Sequence, residues 1–498
     1  DRGAKGPAVA PAVAWAPLLG VAAVKASVHL ALAARYGFHR DELYYLVCGR
    51  HLAWGYVDHP PVTAFVARFV ETLAGPSLVA LRAVPALLGA VLVVLAGLMA
   101  REMGARRWGQ VLAGVAVLAA PAFLITNHLF QTVVFDQVAW AAATLLVLRL
   151  LRTGDERLWL AVGAVAGLGL LAKYTVALFG LGLVAGLVLT RRRRQLLSPW
   201  LWAGGAVALV IFLPNLLWQV AHGWPSLEFV RNNNARVAEE LSAGALLGIQ
   251  AAFVGVVSLP LFAAGIAFLF GRRGERFRPV GWIWLAVTAL LLVLGGKPYY
   301  AAPSWPSILA AGAVLAEGVA ERRAWRRLRV AVPALLLLGA LPLLWVVLPV
   351  LPRETFARNQ DKLPHQELHE QFGWEDLAAQ VAAVHRALPE PERRRAEVMT
   401  ESYGEAAALT ILAPRYGLPR VTSAHNSFAF WGPPDTDVVI AVAWSDRRLR
   451  SAFGEVEEVA RITNSLGIKN QSSSQTIYVC RRPLRPWPEL WRELRFYV

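Results

Sequence analysis

Leu78–Ala100 reads LVALRAVPALLGAVLVVLAGLMA, an apolar run interrupted only by Arg82 and Pro85. Its length matches the ~20 residues an α-helix needs to cross hydrocarbon. Runs of this kind recur near Val9–Ala34, Trp108–Ile125, Val133–Leu151, Leu158–Ala172, Tyr174–Thr190, Trp200–Val220, Ala243–Phe270, Val280–Gly295, Ala301–Ala316 and Val330–Leu351. With the first they amount to about eleven spans, within a range of about 10–13. Backbone groups in lipid must pair internally, and these blocks are too long and unbroken for barrel strands, so they are expected to be helices. A soluble chain would scatter its apolar residues at helical or strand period instead.

The net charge of +16 raises nucleic acid as a partner. Its distribution argues against that partner. Basic clusters at Arg101–Arg107, Arg191–Arg194, Arg272–Arg278 and Arg322–Arg329, with a weaker one at Arg149–Arg157, fall on every second loop. That is the positive-inside pattern, and it assigns those loops to the cytoplasm. No soluble basic domain remains to bind nucleic acid. The nineteen tryptophans suit aromatic belts at the interfaces, though packing explains many of them equally. By the same alternation the N-terminus is expected in the cytoplasm. The first loop, residues 36–77, and everything beyond Leu351 are expected outside. No cleavable signal peptide is read at the front.

The expected organisation is an all-α polytopic membrane domain, residues 1–351, followed by a small extracytoplasmic α/β domain, residues 352–498. Helical apolar spacing over Glu42–Ala53 and Pro61–Leu73 predicts two helices lying along the membrane surface within the first loop. In the tail, helices are expected at Trp374–Leu388 and Glu405–Leu412. Short strands are expected at Ala396–Thr400, Val438–Val442 and Thr476–Cys480. The polar stretch Asn464–Ser474 reads as a flexible loop. Cys48 and Cys480 are the only cysteines, so neither a disulfide scaffold nor a zinc motif is present. Both fall on the oxidising side, where a disulfide competes with the favoured reading of two buried thiols.

Ionisable residues beside membrane spans are costly and mark function by default. Asp41 is a candidate general base, with helix capping as the competing role. Glu42 beside it is counted with Asp41 and Asp136 among the expected catalytic acids. Asp136 opens a span, where the helix dipole also favours an acid. Lys173 interrupts two apolar runs, either snorkelling to the interface or awaiting a phosphate. Arg231, Arg236 and Lys297 add cations on the side where positive-inside statistics disfavour them. Asp58-His59 is a weak metal signal for want of further ligands; His59 orders the loop or touches phosphate. Tyr299-Tyr300 either anchors the interface or donates to phosphate and sugar. Acids suit activation of a hydroxyl, and cations suit stabilisation of a departing phosphate.

Asp41-Glu42-x-Tyr44-Tyr45 followed by Gly55-Tyr56-x-Asp58-His59-Pro60-Pro61 resembles the family 39 and protein-O-mannosyltransferase-like glycosyltransferases of the membrane-embedded GT-C class. Asp136, Leu170-Leu171-Ala172-Lys173 and Gly296-Lys297-x-x-Tyr300-x-x-Pro303 extend the resemblance over the membrane domain. It implies inverting transfer of a sugar from a polyprenyl-phosphate donor to a hydroxyl of a glycolipid, glycan or protein, at the outer face of a bacterial inner membrane. It further implies Asp41 as base, Asp136 as a second acid, and Lys173 and Tyr300 as donor-phosphate contacts. His59, Asp58, Arg231, Arg236, Lys297 and Tyr56 complete the expected substrate-binding set. Lipid A aminoarabinose transferases are similar but carry an acid-lysine pair where Asp58-His59 stands, which weakens lipid A as the acceptor. The tail segment Glu401–Ala406, with His425–Phe428 and Trp431–Pro433, looks like that of bacterial family members of unassigned acceptor; its polar and aromatic groups suit holding a sugar, and loop packing is the plainer role. No cofactor is certain, and a divalent cation is the one candidate. Two rivals stand: a transporter or flippase using the same charges as a substrate path, and an assembly factor in which they are idle.

Overall fold

The computed structural model describes residues 10–240, 242–362, 366–443, 445–473 and 475–498, with backbone only for 235–240 and 366. The chain divides into two compact units. One, the helical unit, comprises Asp1–Leu32, Arg82–Ala221 and Asn233–Val347. The other joins the first loop, Ala33–Leu81, and His222–Asn232 to the tail, Leu348–Val498.

Six described helices are long and apolar enough to cross a membrane: Trp15–Leu32, Leu78–Glu102, Thr132–Thr153, Pro199–Ala221, Glu275–Leu294 and Arg323–Val347. A seventh span arises if Ala243–Val254 and Val256–Phe270, bent by 84°, are taken together. The protein is therefore a multi-pass membrane protein with six or seven long spans among the described residues, not about eleven. Arg107–Ala119, Leu158–Leu170 and Val176–Val188 are apolar but have 13 residues each. At 1.5 Å per residue that is about 20 Å, short of the hydrocarbon thickness. Hydropathy registers composition and is blind to where a helix stops. Ala120-Pro121 ends one run, the turn around Lys173 divides two others, and Gly255, at φ 91°, bends the seventh.

Glycine lets the helices of this unit touch backbone to backbone. A Cβ on Gly163 would lie 1.9 Å from the Gly204 carbonyl oxygen, and one on Gly265 would lie 1.9 Å from that of Ile308. Apolar helices in lipid gain little from hydrophobic burial, so close approach of this kind is what holds them together. Gly163→Leu is therefore expected to lose several kcal/mol, at or above the ~1–3 kcal/mol typical of overpacking. Gly205→Leu, with nothing within 4 Å, is expected to be tolerated. Thermal unfolding of the two purified variants checks the contrast.

The arginine-rich turns meet one another. Arg152 Nε lies 2.6 Å from Glu102, Arg106 Nη1 lies 2.8 Å from Glu321, and Arg191 Nη1 lies 3.2 Å from Glu275. Gln195 also donates to Glu156 across 3.1 Å. These contacts pair the turns at one end of the helical unit, as the alternation of charge along the chain requires.

In the second unit a five-stranded sheet runs β2-β1-β3-β5-β4, with β1 Glu397–Thr400, β2 Val421–Ser423, β3 Val438–Ala443, β4 Phe453–Arg461 and β5 Thr476–Pro483. β1 is parallel to β2 and β3, whereas β5 is antiparallel to β3 and β4. The central β3, VVIAVA, is buried along its whole length, so its run is continuously apolar. β4, FGEVEEVAR, is a mostly exposed edge strand; its charge hid it from the sequence reading and discourages pairing with other chains. The helices Trp374–Ala387 and Tyr403–Tyr416 lie where apolar spacing put them. The polar stretch expected to be a flexible loop is instead bonded down. Ser465 N donates to Asp376 across 3.0 Å, Lys469 N to Gln360 across 2.7 Å and Asn470 Nδ2 to the Phe372 carbonyl across 2.7 Å. Polar composition reported exposure and missed these side-chain partners. Cys48 and Cys480 are both buried free thiols.

Candidate functional site

The two expected loop helices are present at Arg40–Arg50 and Val62–Ala74. The first is closed by a capping box built on histidine. His39 Nδ1 accepts from Asp41 N at 3.1 Å, and Glu42 Oε2 accepts from His39 N at 2.8 Å. His39, and not Asp41, is thus the N-cap. Glu42 is fully buried and closes the helix start.

Asp41 sits in the first turn with its side chain 21% exposed. Its Oδ1 accepts from the Tyr403 hydroxyl at 2.7 Å, and Arg40 Nε lies 3.6 Å from the same oxygen. Tyr403 opens the tail helix Tyr403–Tyr416, which packs on Arg40–Arg50; Gly404 lets the two approach until an added Cβ would meet the Arg40 side chain at 3.3 Å. The Tyr403 ring lies 4.7 Å from that of Tyr44, whose hydroxyl donates to Asp58 Oδ1 at 2.7 Å. Two acids are thereby joined through a pair of tyrosines whose rings touch at a tilt of 47°. Burial raises the Asp58 carboxyl above its ordinary range, while His59 and the Tyr44 hydroxyl oppose the shift.

His59 is buried, stacked on Tyr56 at 4.5 Å, with Nδ1 2.8 Å from the Pro60 carbonyl. Burial lowers its pKa. Tyr56 directs its hydroxyl to the Cys48 carbonyl at 3.0 Å, and its own carbonyl accepts from Ser226 at 3.1 Å. Both residues order the loop. Among the described residues no group of three or more His, Cys, Asp or Glu side chains is placed to hold a metal ion.

The helical unit carries the other half of the expected set. Asp136, buried in Thr132–Thr153, lies in the field of Lys173. Lys173 stands in the turn between two short helices, its ammonium 5.2 Å from the Tyr299 ring and 5.4 Å from that of Tyr300. Both tyrosines belong to the 3₁₀ segment Pro298–Ser304, which half-buried Lys297 precedes as N-cap. The cation faces aromatic π clouds at contact range, an arrangement that holds an ammonium without neutralising it. Arg231 belongs to the other unit, exposed on the helix Pro225–Glu240, and the Arg236 side chain lies outside the described residues.

Three features escaped the sequence reading. Tyr403 stands in the tail segment Glu401–Ala406 that the resemblance singles out, but nothing local marks its bond to Asp41, 362 residues away. Lys25, buried in the first span, donates to the Phe123 carbonyl at 2.7 Å, and His29 packs against His128 at 5.9 Å; single polar residues in an apolar run had drawn no notice. Glu405, one turn into the Tyr403 helix, is buried, and burial pushes it from 4.5 up to about 7. A carboxyl raised in this way binds its proton in the fold before it does in the unfolded chain. Stability therefore falls as pH climbs between those two values, by up to about 1.4 kcal/mol for each pH unit crossed. Glu405→Gln is expected to unfold at a higher temperature than the parent at about pH 8, with the advantage shrinking toward about pH 5. Melting curves across that range check the sign.

The comparisons with known proteins agree with this architecture. The family model for dolichyl-phosphate-mannose-protein mannosyltransferase matches residues 58–218, a stretch holding Asp58, Asp136 and Lys173. The lipid A galacturonosyltransferase RgtD of Rhizobium johnstonii is 26% identical over 70% of this chain and 72% of its own length. The lipopolysaccharide core galacturonosyltransferase RgtB of the same organism is 29% identical over 57% of this chain and 60% of its own. Among solved structures, ArnT from Cupriavidus metallidurans bound to undecaprenyl phosphate superposes with a TM-score of 0.60 at 18% identity, covering 93% of this chain and 97% of that one. With its membrane helices and small β-containing tail, the chain has the fold of ArnT and is similar in sequence to the two galacturonosyltransferases.

Proposed function

We propose that this protein is an inverting glycosyltransferase of a bacterial inner membrane, moving a sugar from a polyprenyl-phosphate donor to a saccharide hydroxyl of an envelope glycolipid on the outer face. Asp41 takes the proton of the acceptor hydroxyl. The oxygen attacks the anomeric carbon opposite the phosphate, the bond from that carbon to the phosphate oxygen breaks, and polyprenyl phosphate departs as an anion. Lys173 stabilises that charge, with Tyr300, Lys297, Arg231 and Arg236 assisting. Asp136 is assigned to the setting of Lys173, and Asp58 with its Tyr44 bond to the ordering of the acceptor side. Glu42, His59 and Tyr56 hold the loop.

The observation that carries the reading is the Asp41 carboxylate, oriented by the Tyr403 hydroxyl at 2.7 Å and still reached by solvent. A base must be both fixed and accessible. The relatives supply the acceptor class: by name they act on lipid A and on lipopolysaccharide core.

The test uses purified protein in liposomes with a synthetic polyprenyl-phosphate galacturonate and delipidated lipopolysaccharide. Acceptor-dependent release of polyprenyl phosphate is the expected result. Counterflow of the donor across the bilayer with no release would favour the transporter instead. Mass spectrometry of lipids and glycans in a deletion strain then names the sugar that is lost.

A further inference from the structure

The tail sheet changes direction at one place. From β1 the chain passes through the helix Tyr403–Tyr416 to β2 on one side; from β2 it returns to β3 on the other side of β1. Open α/β sheets bind ligands in the crevice outside the carboxyl ends of the strands at such a switch point, because the connections diverge there and leave backbone and side chains uncovered. A shallow crevice open to solvent lies at this place. It is lined by Thr400 and Glu401 at the end of β1, by Ala424 just after β2, and by Ala441 and Ala443 at the end of β3.

The alanines carry only methyl groups, so the strand ends form a shallow apolar floor. Phe496 makes one flank, and the Arg448 guanidinium carbon stands 5.3 Å from the centre of its ring. Arg448 is exposed, and among the described residues no carboxylate pairs with it. The nearest acid in sequence, Asp446, is taken by Arg450 at 2.5 Å. A guanidinium held over an aromatic ring with its donors unspent is a receptor for a carboxylate or phosphate. Glu401 supplies an acceptor for hydroxyl groups.

We propose that this crevice binds an anionic sugar unit. The C–H face of the sugar lies on the alanine floor, the acid group meets Arg448, and the hydroxyls meet Glu401. The inference rests on the transferase reading for its relevance, since an enzyme acting on an acidic envelope glycan gains from a second hold on that glycan away from the bond being made.

The experiment measures binding of D-galacturonate, D-glucose 6-phosphate and D-glucose to the full-length protein in nanodiscs by saturation-transfer NMR. It is carried out in the Asp41→Asn background so that turnover plays no part. Saturable binding of an anionic sugar at millimolar concentration, weaker for glucose and reduced by about tenfold or more in Arg448→Met, is expected. Ala443→Leu, which fills the floor and leaves the charge, is expected to reduce it as well. Galacturonate alone binding identifies a carboxylate as the group recognised, and glucose 6-phosphate alone identifies a phosphate. Binding unchanged in both variants, glucose binding as well as its acidic counterparts, or no saturable binding at all overturns the site. An absent site beside intact transfer refutes this inference alone; intact binding in a protein that never releases polyprenyl phosphate refutes the transferase reading alone.

Discussion

Asp41→Asn is expected to abolish sugar transfer while leaving the protein folded. The amide matches the carboxylate in size, and its oxygen still accepts from the Tyr403 hydroxyl, which lies 2.7 Å from Oδ1 in the parent. The capping box that starts the helix uses the backbone N of Asp41 and the side chains of His39 and Glu42, so it survives the change. What is lost is the ability to take a proton, worth on the order of 10²–10⁴ in rate. Turnover, together with size-exclusion profile and melting temperature, separates chemistry from folding. An asparagine variant as active as the parent would remove the mechanism. Tyr403→Phe belongs beside it. It deletes the orienting hydroxyl and keeps the ring contact with Tyr44 at 4.7 Å, so kcat is expected to fall several-fold with KM for the donor little changed.

Lys173→Met is the second large effect, with an expected loss on the order of 10²–10³ in kcat. Methionine keeps the apolar stem in the turn and deletes the charge offered to a departing phosphate. Lys173→Arg restores a cation and is expected to recover part of the rate. A different pattern follows if the lysine is only an anchor for the two tyrosines beneath it. Deleting a cation–π contact costs roughly 0.5–2 kcal/mol, so melting temperature would drop and turnover per folded molecule would stay. Both quantities, measured on the methionine variant, decide between the two roles.

Much of this protein is legible in its sequence. Leu78–Ala100 and its kin announce a polytopic membrane protein because lipid tolerates only long, internally bonded apolar helices. The tail strands β1, β3 and β5 were visible as short apolar runs between breakers, and β3 most plainly because both of its faces are covered. Span number was not legible, since a 13-residue helix and half of a longer one look alike to a hydropathy window. Edge strand β4 was hidden by its glutamates.

The candidate site divides along the same line. Asp41, Asp58, Asp136 and Lys173 stand out in sequence because ionisable groups beside apolar runs need a reason to be there. Which of them chemistry uses, and which merely hold a loop, depends on partners far along the chain. Glu42 turns out to cap a helix through His39, His59 to stack beneath Tyr56, and Asp41 to be held by a tyrosine from the tail. The sequence by itself determined the solvent of each segment, because transfer of apolar and charged groups between water and lipid is a local property of composition. Only the tertiary structure decided which side chains meet, because a hydrogen bond of 2.7 Å between residues 362 positions apart is set by how helices and strands pack and leaves no trace in spacing.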